Sequence, residues 1–274
     1  MLGKNALTLG TWNFPTQIPH RAGVWEFCAS AQPKRTLFQR EMQPYGIIES
    51  ITAVRRDGAR KELIMGIYLD SANPDEARRA QELGFIAGVT TNPKLIAQTG
   101  RPGLDVLAEL TEIVEGHVFY QLTAETVEAR TDEAWAAYKI RPDKVLLKVP
   151  ATTENFKMAA RLIPAGIECA MTAVYSPAQA FLAAQVRASF AIPYYNRMKQ
   201  QMPNTLEVIG QIIDVVRGSQ TQVLAASFKS VEDVIVALAA GIEHITLPLD
   251  LILALGEHEL SQRDIRDFAQ FVTQ

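Results

Sequence analysis

The feature that most constrains this chain is an alternation that begins at Met65. Apolar runs of four to six residues, at 67–70, 85–90, 118–122, 144–149, 167–172, 190–194, 223–226 and 243–247, are separated by stretches of helical character. Runs this short, bounded by turn residues, read as strands. Their continuous apolar character predicts strands covered on both faces, as in a parallel sheet. The intervening spacing predicts helices over 74–83, 104–114, 127–138, 156–163, 177–186, 206–216 and 231–240, with a last helix over 261–272. Asn73 is placed to cap the first helix, with Pro74 in its first turn. Eight strand–helix units in about 200 residues predict an α/β fold, a (β/α)8 TIM barrel at the short end of its size range, with an extra C-terminal helix. A doubly wound open sheet is the alternative. No Gly-x-Gly-x-x-Gly follows a strand, which argues against a dinucleotide site.

Residues 1–64 differ from the rest. They contain nine Lys or Arg against five Asp or Glu, whereas the remainder contains 18 against 25. They show no sustained period except around 46–54, and they lack the apolar core of a secretory signal. Pro15, Pro19 and Pro33 interrupt any amphipathic transit helix. Lys61-Glu62 is encodable as AAG-GAG, a ribosome-binding sequence just upstream of Met65. The expectation is a disordered extension or a mis-assigned start over 1–64, and a barrel domain over 65–274.

Composition narrows the function classes. With 48% hydrophobic and 21% charged residues, the chain belongs with soluble globular proteins that bury a sizeable core. A net charge of −3 gives no reason to expect nucleic acid or an anionic membrane as partner. No run of 18 apolar residues is present, so no membrane span is expected. Cys28 and Cys169 form no disulfide framework, which makes a reducing cytoplasm the default setting. His20, His117, His244 and His258 lack ligand spacing, so no metal site is expected.

The fourth apolar run carries the chemistry. Lys144 to Pro150 reads Lys-Val-Leu-Leu-Lys-Val-Pro, with Lys148 near the end of a strand expected to be buried. Desolvation disfavours a charged amine, and a neutral amine is a nucleophile toward carbonyl substrates. The plainer reading is a lysine that extends its head to solvent. In a barrel, chemistry sits at the C-terminal strand ends, and polar residues recur there. They are Asp70, the group Thr90, Thr91 and Asn92, Gln121, Lys148, Thr172, Tyr194 and Ser227. Each alone has an ordinary explanation, such as helix capping, turn chemistry or a satisfied aromatic hydroxyl. Their repetition on one rim favours a site. Arg197, just after the sixth run, can hold a phosphate in bidentate fashion or form a surface ion pair.

Seven segments together resemble the transaldolase family, especially its short members. They are Tyr-Leu-Asp at 68–70, Gly-Val-Thr-Thr-Asn-Pro at 88–93, Leu-Lys-Val-Pro at 147–150, Thr-Ala-Val-Tyr at 172–175, Pro-Tyr-Tyr-Asn-Arg at 193–197, Leu-Ala-Ala-Ser-Phe-Lys at 224–229 and Thr-Leu-Pro-Leu at 246–249. The resemblance spans almost all of 65–274 and none of 1–64. It implies a class I aldol cleavage or transfer on sugar phosphates, with Lys148 as the Schiff-base lysine. It implies that Asp70 handles the hydroxyl proton at the cleaved bond and that Asn92, with Thr90 beside it, serves donor binding. Thr172 then helps hold a catalytic water, and Arg197 and Ser227 bind phosphate. No organic or metal cofactor is implied, because the lysine itself supplies the electron sink.

Within that family, transaldolases carry a glutamate on strand three and usually a phenylalanine on strand six, whereas fructose-6-phosphate aldolases carry a glutamine and a tyrosine. Gln121 and Tyr194 therefore resemble the aldolase pattern. A neutral amide orients water but takes no proton, so the acid–base role passes to the tyrosine hydroxyl. Transaldolase is the alternative, and a sugar-phosphate-binding barrel without catalysis is the second. Two departures bear on substrate. Ile192 stands where the family has a small residue, and its bulk disfavours a second hydroxyl on the donor by overpacking, which brings smaller donors such as hydroxyacetone into consideration beside dihydroxyacetone. After Arg197 the chain reads Met-Lys-Gln-Gln-Met-Pro-Asn instead of an acidic, glycine-rich loop. The last helix presents Ile265, Phe268 and Val272 at helical spacing, which predicts either a cover for the barrel's own helices or packing in a homo-oligomer.

Overall fold

A computed structural model describes residues 65–272. The expectations for 1–64, Cys28 and His20 among them, lie outside the described residues. Eight parallel strands close in sequence order, and the last, β8, pairs with the first, β1. The strands are β1 Gly66–Asp70, β2 Ile86–Thr90, β3 His117–Gln121, β4 Val145–Pro150, β5 Cys169–Val174, β6 Phe190–Pro193, β7 Gln222–Ala225 and β8 His244–Leu247. This is the (β/α)8 barrel; closure excludes the open sheet.

The helices are α1 Pro74–Glu82, α2 Pro93–Gln98, α3 Gly103–Ile113, α4 Val127–Ile140, α5 Thr153–Leu162, α6 Pro177–Gln185, α7 Tyr195–Gln201, α8 Thr205–Val216, α9 Val231–Ala239, α10 Leu249–Ala254 and α11 Glu259–Val272. Six of them begin with the side chain of an Asn, Thr or Ser accepting from a first-turn backbone N–H: Asn73, Asn92, Thr126, Thr152, Ser176 and Ser230. Each such cap stabilises its helix by about 1 kcal/mol. The short helices α2, α7 and α10 were not foreseen, because one or two turns leave too few residues to show a period. β5 runs two residues later than its apolar run indicates. Tyr194, expected on strand six, lies just past it and makes an isolated bridge to Ala226.

Side chains alternate between two cores. The larger lies between strands and helices and includes Leu69, Val118, Leu147 and Met171. The smaller fills the barrel lumen with Tyr68, Phe119, Leu146, Ala170, Phe190, Ile192, Leu224 and Ala226. The rings of Tyr68, Phe119, Phe190 and His244 meet edge-on or tilted, with centroids 5.4–6.1 Å apart. They form an aromatic plug across the lumen. Where β2 approaches β3, a Cβ on Gly88 would collide with the His117 carbonyl and one on Gly116 with that of Ala87, so both positions require glycine.

Helix α11 stands apart from this packing. Leu260, Ile265, Phe268 and Phe271 are all half exposed or more, so the stripe does not cover the barrel's own helices. Among the described residues no helix is long and apolar enough to cross a membrane.

Candidate active site

Above the aromatic plug, at the C-terminal mouth, lie the side chains that share the lumen-facing parity of the strands. Lys148 follows Leu146 on β4, and only 2% of it is exposed. Its Nζ donates to the carbonyl of Thr91 at 2.8 Å. Burial pulls the amine's pKa below its ordinary value, and the nearby Asp70 carboxylate opposes that pull. One carbonyl acceptor repays little of the cost of burying an ammonium, so burial pulls toward the neutral amine. A lysine that extends to solvent is thereby excluded.

Asp70 ends β1. Its Oδ1 accepts from Thr90 Oγ1 at 3.1 Å and lies 3.5 Å from the Asn92 side-chain amide, at the limit of a hydrogen bond. Asn92 has a second task, since its Oδ1 accepts from Leu95 N and caps α2. The three residues after β2's core therefore serve two partners. Thr90 and Asn92 face the carboxylate, and the Thr91 carbonyl faces the amine.

Gln121 ends β3 and pairs with Lys148 in the β3–β4 ladder. Among the described residues its Oε1 is buried without a hydrogen-bond partner, which leaves it an unused acceptor at the mouth. The chain just beyond it is pinned by Glu133 of α4. That carboxylate accepts from Thr123 N and Ala124 N at 2.9 Å each and from Tyr120 OH at 3.1 Å. Burial, reinforced by Glu133, raises the Tyr120 pKa, so its hydroxyl stays a donor.

Thr172 on β5 donates to Tyr194 OH at 2.9 Å. The next residue, Ala173, has φ +57°, and the β5–β6 register shifts there. A left-handed alanine stores about 1–3 kcal/mol of strain. The strain accompanies a local kink at the position that meets Tyr194. Because the Tyr194 oxygen accepts from Thr172, its own proton is free to point into the lumen. Burial raises the Tyr194 pKa, more than the Thr172 hydrogen bond and Arg197 lower it, so that proton is retained at neutral pH. The Arg197 guanidinium stacks over the Tyr194 ring, 4.9 Å from its centroid, and no ion pair to a protein carboxylate engages it among the described residues. The surface ion pair is thus not made among the described residues. Ser227, with φ +70°, follows β7 and its carbonyl accepts from Asn196 N, which links the β7 loop to the start of α7. Arg197 also borders a cavity of about 480 Å³ with Tyr175, Gln200, Gln201 and Met202.

The structure thus draws Lys148, Asp70, Thr90, Asn92, Gln121, Thr172, Tyr194 and Arg197 to one mouth, with Ser227 on its rim. Sequence reading missed three contributors. The Thr91 carbonyl is backbone and carries no side-chain signal. Glu133 sits in a helix among other charged residues. Thr246, which bonds Thr90 at 2.7 Å, was visible as the polar residue near the end of the eighth run. Among the described residues, no three His, Cys, Asp or Glu side chains gather as metal ligands.

The profile of the Transaldolase/Fructose-6-phosphate aldolase family matches residues 67–274. A probable transaldolase of Desulforudis audaxviator is 36% identical over 206 residues, covering 74% of this chain and 95% of the relative. Probable transaldolases of Geotalea uraniireducens and Desulfitobacterium hafniense are 33% and 35% identical, over 75% and 74% of this chain and 97% and 96% of their own lengths. The chain therefore belongs to the transaldolase/fructose-6-phosphate aldolase family and is an enzyme of the aldolase or transaldolase type.

Proposed function

We propose that the chain is a Schiff-base aldolase that reversibly cleaves fructose 6-phosphate to dihydroxyacetone and glyceraldehyde 3-phosphate. The observation that carries this reading is Gln121 beside Lys148, across the lumen from a Tyr194 hydroxyl with its proton free. An amide there cannot accept a proton, which leaves the tyrosine as the acid–base group.

In the proposed cycle the neutral Lys148 amine attacks the C2 ketone and water leaves. The iminium withdraws electrons from the C3–C4 bond. Asp70 takes the C4 hydroxyl proton, the bond breaks, and the aldehyde departs. The remaining enamine is protonated through a water held by Gln121, Thr172 and Tyr194, and hydrolysis frees the donor fragment. Arg197 and Ser227 hold the phosphate, while Asn92 and Thr90 orient the donor and Asp70. The half-exposed apolar face of α11 supports a homo-oligomer, the lack of a disulfide framework supports a cytoplasmic setting, and the net charge of −3 gives no support to a nucleic-acid partner.

The second reading is transaldolase, favoured by the names of the relatives. The test supplies fructose 6-phosphate with and without erythrose 4-phosphate and follows glyceraldehyde 3-phosphate. Release without acceptor is the expected result. Release only with acceptor makes the enzyme a transaldolase. No release, with no borohydride-trapped adduct on Lys148, leaves the non-catalytic barrel.

A further inference from the structure

Resting on that Schiff-base reading, we propose that Thr246 is a positioning residue for Asp70, acting through Thr90 by a chain of two hydroxyls. Thr90 Oγ1 lies 3.1 Å from Asp70 Oδ1 and 2.7 Å from Thr246 Oγ1. A hydroxyl has one proton to give, and an ionised carboxylate only accepts. Thr90 therefore donates to Asp70, and its own oxygen is satisfied by the proton of Thr246. The direction is fixed by valence: Thr246 to Thr90 to Asp70. Both threonines are fully buried, 0% and 1% exposed, so bulk water does not substitute for either link. A chain ending on a charge in such surroundings is stronger than its separate links.

The placement explains the reach. β8 and β2 flank β1 on its two sides. Asp70 is in register with Thr90, and Thr246 is in register with Tyr68, one lumen layer lower. The hydroxyl pair therefore runs from the carboxylate's own layer to the one below and ties the two strands that flank β1 together. Thr90 is also the first residue of the segment whose second member, Thr91, accepts from Lys148 at 2.8 Å. Pinning Thr90 sets the carboxylate and the amine relative to each other. Thr246 itself has no hydrogen bond to Lys148, and its neighbour below, His244, belongs to the aromatic plug.

The test compares the unaltered enzyme with Thr246→Val, which keeps the shape and removes the hydroxyl, and Thr246→Ser, which keeps the hydroxyl. In Thr246→Val, kcat for fructose 6-phosphate cleavage is expected to fall by about ten-fold, a fraction of a full general-base contribution, with KM little changed. Borohydride trapping of dihydroxyacetone on Lys148 should persist, and Thr246→Ser should restore most of kcat. In an Asp70→Asn background Thr246→Val should have no further effect, because the group it positions is gone. If Thr246→Val does not fold, Thr246→Ala and Thr90→Val address the same chain. The proposal is overturned if Thr246→Val keeps kcat, if Thr246→Ser is as damaged as Thr246→Val, or if the effects of Thr246 and Asp70 simply add. It also falls, together with the Schiff-base reading, if the unaltered enzyme is never trapped on Lys148.

Discussion

The two mouths of the barrel are both polar, and they differ in how their polar groups are held. The N-terminal mouth opens on a cavity of about 390 Å³ whose lining includes His117, Glu168, Arg187, Gln222 and, at its floor, Tyr68 and Phe190. Arg187 and Glu168 are exposed there, and Glu168's bond is to the Ser189 hydroxyl at 3.0 Å. At the C-terminal mouth the amine is buried against the Thr91 carbonyl, and the half-buried Asp70 carboxylate is held by the Thr90 hydroxyl, itself bonded to Thr246. The aromatic plug separates the two. Space for a ligand is therefore common to both ends, whereas desolvation of a nucleophile beside a carboxylate belongs to one. That second property, rather than cavity size, locates the chemistry.

The comparison is tested most severely at Lys148. Lys148→Met should abolish turnover and borohydride trapping together. It should also raise the thermal midpoint near neutral pH. On the Schiff-base reading the native amine is neutral when folded and charged when unfolded, so the unfolded chain binds more protons, and the stability of the unaltered protein rises with pH. The gap between the two proteins should therefore narrow as pH approaches about 10.4, the unperturbed lysine value. A gap independent of pH would show that the folded amine is charged.

A smaller but still large effect is expected at the carboxylate. Asp70→Asn should lower cleavage by about 10²–10⁴-fold while ketone trapping continues. At the opposite mouth Glu168→Gln and Arg187→Gln should each stay within about two-fold of the unaltered enzyme. Loss of cleavage from either would erase the distinction between the mouths.

Gln121→Glu sharpens the comparison within the active mouth. A carboxylate there can share proton transfer with Tyr194, and acceptor-dependent transfer should gain on acceptor-free cleavage by about ten-fold. An unchanged ratio would remove the basis for choosing aldolase over transaldolase.

A shift of similar size is expected in the choice of substrate. Ile192 is fully buried, in register with Thr172, between the plug and Tyr194. Ile192→Ser should improve dihydroxyacetone relative to hydroxyacetone as donor by about ten-fold, the scale of a few methylenes in a snug pocket. No change in preference would mean that the donor does not reach that layer.

Much of this was legible in the sequence, because a barrel writes its strands as short apolar runs and its active rim as polar residues at their ends. Lys148, Asp70, Thr172 and Tyr194 were found that way. The less legible parts follow from three-dimensional closure. Thr246 and Thr90 are 156 residues apart and meet only because β8 returns to β1. The left-handed backbone at Ala173 and Ser227 leaves no mark in residues that ordinarily avoid it. Helix α7 overrode the expected end of strand six because Tyr194's backbone turns from a bridge with Ala226 directly into a helix.

The environment of Lys148 also makes it chemically distinguishable from the enzyme's other lysines. Lys199 is ion-paired with Asp233 at 2.8 Å, which holds its pKa above the usual range, and Lys144 donates to two carbonyls. A β-diketone condenses with an uncharged amine and leaves a chromophoric vinylogous amide. At neutral pH such a reagent should mark Lys148 first, and mass spectrometry of the digested protein would show a single modified peptide. The catalytic amine could then be counted, and inhibitors ranked by their protection of it, before any natural sugar is in hand.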